Sequence, residues 1–97
     1  MSTEKAVQWI ESNRGSIFQS LAQLVEIQSI STDGDHHGEI KRCAESVRDQ
    51  MKRAGFDKTE ILELPGAYPY VFGEIKAPAG APTLLMLSHY DVQPLNY

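Results

Sequence analysis

Four consecutive apolar residues, Leu84-Leu85-Met86-Leu87, restrict the possible folds of this 97-residue chain more than any other stretch. The run is too short for a helix and has no polar alternation. Ala81-Pro82 closes it at the start and Pro94 at the end. Such a run suits a strand buried on both faces, as in a parallel sheet. The chain is therefore read as α/β. Its expected order is N-terminal helices, a β-hairpin, then a buried central strand within Thr83 to Pro94. His89 and Asp91 follow the apolar run directly. The carboxyl ends of strands in open α/β sheets are where loops diverge and ligands bind. If Ser88 to Val92 is extended, the two-residue period places His89 and Asp91 on one side.

That pair admits several readings. It could be a metal-ligating imidazole whose second ring nitrogen is held by a carboxylate. It could also be a general base with its orienting acid, or a pair of ordinary turn residues.

Upstream, the helical signals are clear. Ser2 or Thr3 can cap a first helix, with Glu4 favourable at its positive end. Ala6, Val7 and Ile10 form its apolar stripe, and Trp9, one position off, is expected to be half-buried. Asn13-Arg14-Gly15 interrupts the pattern. A second helix aligns Ile17, Phe18, Leu21, Leu24 and Val25 on one face. Ser29 to Gly38 is a polar loop holding Asp33, Asp35, His36 and His37. Adjacent side chains diverge, and Asp33-Gly34-Asp35 lacks the further carboxylates of a calcium loop, so it is read as a solvated loop capping the next helix. The third helix aligns Ile40, Cys43, Ala44, Val47, Met51 and Ala54. Gly55 supplies its left-handed C′ position, with Lys52 and Arg53 in the last turn. Cys43 falls on the apolar stripe, as an inert core thiol. Thr59 to Leu64 and Pro69 to Ile75 read as an antiparallel hairpin broken at Pro65-Gly66. Tyr68, Tyr70 and Phe72 are assigned to strand packing.

The sequence Ser88-His89-Tyr90-Asp91-Val92-Gln93-Pro94 after an apolar strand resembles the metal-binding signature of the M20 metallopeptidases. Ile27-Gln28-Ser29-Ile30-Ser31-Thr32 resembles that family's I-P-S-[IV]-S loop. The order of helices and strands between them also follows the family, so the likeness runs along nearly the whole chain. The His-Tyr-Asp form is nearer the dipeptidase branch than the deacetylase branch, whose motif more often reads His-Thr-Asp. Ser88 stands where Gly is common, and Gln28 where Pro is usual. The resemblance implies a zinc-dependent hydrolase of peptide or amide bonds, with a small peptide or N-acyl amino acid as substrate. Its α/β/α catalytic domain would include residues 1–97 as its N-terminal part, with the lid domain absent. His89 would be the first zinc ligand, and Asp91 the aspartate of the catalytic machinery that supports it. Two zinc ions are implied, other divalent metals being possible, with a homodimeric complete enzyme.

The remaining ligands and the acid/base glutamate have no counterpart here, and a catalytic zinc site needs about three protein ligands. The chain by itself is therefore expected to be inactive, and its unpaired central strand is expected to favour self-association. The alternatives are a small non-catalytic α/β binding module and a degenerate, regulatory family member.

Composition narrows the partners further. A net charge of −4 and a pI near 5.2 argue against nucleic acid. No apolar run reaches the length of a membrane span, and the N-terminus has no signal-peptide character, which makes a cytoplasmic location the expectation. One cysteine leaves no internal disulfide framework.

Overall fold

The computed structural model describes residues 2–32 and 34–95. Asp33 of the acidic, histidine-containing loop lies outside them. Three helices, α1 (Thr3–Ser12), α2 (Arg14–Glu26) and α3 (His37–Arg53), precede two strands, β1 (Lys58–Leu62) and β2 (Tyr70–Glu74). The expected α/β order of helices followed by a hairpin is therefore observed.

The Ser2 hydroxyl caps α1 by accepting from the Lys5 amide at 3.2 Å, which satisfies one of the free N–H groups at the helix start. The break between α1 and α2 is a single residue. The Asn13 amide donates back to Trp9 and Ile10, while its carbonyl accepts from Ile17. Arg14 and Gly15 already belong to α2. A single 3-10 turn, Gly34–His36, leads into α3, and His36 at its N-cap makes no capping bond through its side chain. The side chain at the cap position is an imidazole and not one of the short hydroxyls or carboxylates that usually cap a helix.

The C-terminus of α3 closes in a Schellman arrangement. Gly55 takes φ 95°, its amide donates to Lys52, and Phe56 donates to Met51. This turn reverses the chain into β1. In the antiparallel register Ile61 faces Val71 and Thr59 faces Gly73. These four half-buried residues alternate with Lys58, Glu60, Leu62, Tyr70, Phe72 and Glu74, which are exposed. Asp57 fastens the open end. Its amide donates to Glu74, and its carboxylate accepts from the Lys76 amide at 2.7 Å.

The core is small and lies under the first half of α3. Ile40, Cys43 and Ala44 are buried there together with Ile27 and Ser29 from the loop after α2. Cys43 is the core thiol that its place on the stripe predicts.

Three burial expectations are corrected. Leu84 to Leu87 form no strand and are 83–94% exposed. A strand buried on two faces needs ladder partners and covering layers, and β1 and β2 pair only with each other. Among the described residues after β2, Val92 makes the one bridge, a parallel one to Ile30. The apolar faces of α1 and α2 follow the predicted spacing, yet neither helix has a buried residue. Trp9 is 61% exposed, not half-buried. Periodicity records which face is apolar, whereas burial requires a second surface laid upon it. Tyr70 and Phe72 likewise sit on the outer face of the hairpin, so strand packing does not enclose them.

Candidate functional site

Three segments distant in sequence meet around Asp91. They are the loop after α2, the residues just before β2, and the extended stretch from His89 to Val92. Backbone pairing sets their alignment: the Val92 amide donates to the Ser29 carbonyl at 3.0 Å, beside the Ile30–Val92 bridge. Extended backbone sends alternate side chains to opposite sides. Tyr90 goes inward, where its hydroxyl donates to the Pro69 carbonyl at 2.6 Å and its own carbonyl accepts weakly from the Cys43 thiol at 3.6 Å. Burial, then the neighbouring Cys43 and Asp91, push the Tyr90 phenol above its ordinary range, in keeping with its role as a donor. Burial likewise raises the Cys43 thiol, and nearby Ser29 and Arg42 offset this only in part. That thiol is protonated and inert near neutral pH.

His89 and Asp91 go to the other side and meet, with Nδ1 2.7 Å from Oδ1. The expectation that they share one side therefore holds. The second carboxylate oxygen, Oδ2, accepts from the Ser31 hydroxyl. The Ser31 carbonyl in turn accepts from the Tyr68 hydroxyl at 3.1 Å. The resulting chain is Tyr68, Ser31, Asp91, His89. The imidazole is 82% exposed and the carboxylate 25%. With Nδ1 engaged, Nε2 has no partner among the described residues.

The Ser31 hydroxyl first, and His89 second, hold the Asp91 carboxyl below the ordinary carboxylate range. A lowered acid favours the folded arrangement while it is ionised. That contribution is complete above the unfolded value of about 3.9 and fades as pH falls through the lower folded value. The hydrogen bond from Ser31 to the Asp91 carboxylate is therefore expected to persist from neutral pH to about pH 4 and to weaken only below it. Carbon-13 NMR of the Asp91 carboxyl checks this; a midpoint at or above about 3.9 contradicts it.

Of the other titratable residues singled out in the sequence, His37 packs its ring on Tyr68 with centroids 5.1 Å apart. Lys41 lies 3.7 Å from Glu63 across the same groove, which Leu64 and Pro69 also line. No group of three or more His, Cys, Asp or Glu positioned to hold a metal occurs among the described residues. The residues at hand thus fit one metal ligand with its supporting acid, and not a full coordination set. Among those residues, no helix is long and apolar enough to cross a membrane.

Ser31 was marked in the sequence only as the last serine of the segment that resembles the I-P-S-[IV]-S loop, with no role attached, and Tyr68 only as a member of an aromatic cluster. Ser31 and Asp91 are 60 positions apart, and the Ile30–Val92 bridge with the Val92–Ser29 hydrogen bond brings them together.

The chain is 34% identical over 83 residues to a cysteinylglycine-S-conjugate dipeptidase of Corynebacterium striatum. The match takes in 84% of the chain and 18% of that protein, so the chain spans less than a fifth of the relative's length. No protein-family model matches, and no solved structure does. The likeness supports a peptidase-like hydrolase family.

Proposed function

We propose that this chain is the N-terminal part of a zinc-dependent hydrolase that cleaves peptide or amide bonds in small substrates, of the dipeptidase or carboxypeptidase kind. The observation that carries the proposal is the His89–Asp91 pair. Nδ1 lies 2.7 Å from a carboxylate oxygen, and the ring is exposed, with no partner for Nε2 among the described residues. This is the arrangement that a metal-ligating histidine ordinarily shows, since the carboxylate sets the tautomer and raises the basicity of the coordinating nitrogen. The similarity to a dipeptidase supports the same direction.

On this reading His89 contributes one ligand through Nε2, and Asp91 orients the ring. Bound zinc would polarise the scissile carbonyl and lower the pKa of a coordinated water. The work of these residues is to hold one imidazole in a fixed orientation with Nε2 aimed outward. Further ligands and the general base would come from other chain, as would the homodimer contacts of the complete enzyme.

One imidazole binds zinc only weakly, with a dissociation constant on the order of millimolar, because a retained ion needs about three protein ligands. Titrating zinc into the nitrogen-15-labelled chain is expected to shift His89 and its neighbours at such concentrations, with no peptidase turnover. His89→Ala removes those shifts. Shifts centred on His36 or His37 instead would overturn the assignment, and tight one-to-one binding by this chain would overturn its being a partial site.

A further inference from the structure

We propose that Ser31 is a positioning residue, whose hydroxyl locks the Asp91 carboxylate in the orientation that holds His89 Nδ1 and so presents Nε2 to a divalent cation. The proposal rests on the zinc-hydrolase reading for the identity of what Nε2 meets; the lock itself does not.

The need for such a residue follows from side-chain freedom. The terminal torsions of aspartate and histidine are broad and nearly two-fold. A carboxylate held only by the imidazole it supports leaves both rings of motion coupled but unanchored. At 82% exposure, the His89 ring gains little restraint from packing. Asp91 becomes a fixed reference only because its second oxygen is tied elsewhere. Ser31 is that tie, accepting no other duty through its side chain among the described contacts.

Ser31 is in turn anchored by its backbone. The Tyr68 hydroxyl donates to its carbonyl at 3.1 Å. On its N-terminal side, Ile30 bridges Val92, and the Ser29 carbonyl receives the Val92 amide. These backbone links align the two segments without the Ser31 hydroxyl. Loop closure and carboxylate locking are thus separable, and Ser31→Ala is expected to keep the first and lose the second.

The tautomer of His89 in the metal-free, nitrogen-15-labelled chain near pH 8.5 tests this. In the unmodified chain the Nδ1–H form is expected to predominate. Ser31→Ala is expected to lower the ratio of the Nδ1–H to the Nε2–H form roughly tenfold, the scale of one charge-assisted hydrogen bond. Ser31→Thr, which keeps a hydroxyl, is expected to retain the Nδ1–H form. An unchanged tautomer ratio in Ser31→Ala, with the Val92 amide still protected, overturns the proposal and reduces Ser31 to a loop residue. If Ser31→Ala does not fold, the unmodified chain still decides: a single Ser31 χ1 rotamer supports the lock, and averaged couplings overturn it. No metal enters these measurements, so failure of the zinc titration would sink the functional reading and leave the lock standing.

Discussion

Gly73→Val is expected to lower the unfolding free energy by about 3 kcal/mol, seen as a fall in the urea midpoint. A Cβ built at Gly73 would lie 2.7 Å from Phe56 Cδ2 and 2.9 Å from both Met51 Sδ and Phe56 Cε2. The last turn of α3 and the reversal after it therefore press directly on the β2 backbone. The Met51 thioether can move aside, but the Phe56 ring is a rigid plane, and its backbone is fixed by the Schellman turn that joins α3 to β1. Valine adds two further carbons to a contact already closer than van der Waals distance. Domains of this size have about 5–15 kcal/mol in total, so the loss is a large share. Gly73→Ala should show a smaller effect of the same sign, and trimming Phe56 to leucine should relieve part of it. An unchanged midpoint for Gly73→Val would mean that α3 does not rest on the hairpin as described.

The second large effect concerns Asp91. Asp91→Ala is expected to weaken zinc binding by 10- to 100-fold in any polypeptide where this segment joins a complete ligand set. Both contacts of the carboxylate disappear together: the Ser31 hydroxyl loses its acceptor, and Nδ1 of His89 loses the group that orients it. The effect on overall stability is expected to be small by comparison, because the Val92–Ser29 link and the Ile30–Val92 bridge remain. Calorimetry of zinc binding before and after the substitution measures the first effect, and denaturant unfolding the second. Undiminished affinity would show that Asp91 is a bystander to the imidazole.

Much of the fold could be read directly from residue order. Ser2 as a cap, the stripe from Ile40 through Met51, Gly55 at the end of α3, and the Pro65-Gly66 break are local features. Each is governed by backbone torsion, by hydrogen-bond supply at a helix end, or by spacing on one face. The pairing of His89 with Asp91 was legible for the same reason, since two residues in extended chain share a side. Leu84 to Leu87, Trp9 and the faces of α1 and α2 mark the other limit. Their apolar character was evident, yet they are exposed here because nothing in the described structure covers them.

Local order therefore determined the helices, the hairpin and the presence of an imidazole beside an acid. Only the tertiary structure decided what fixes that acid. Ser31 and Tyr68 reach it through a parallel bridge and two hydroxyl contacts between segments far apart in the chain. Spacing along the chain does not encode such a meeting, because it depends on where whole segments come to rest, and that is set by α3 packing on the hairpin and on the loop after α2.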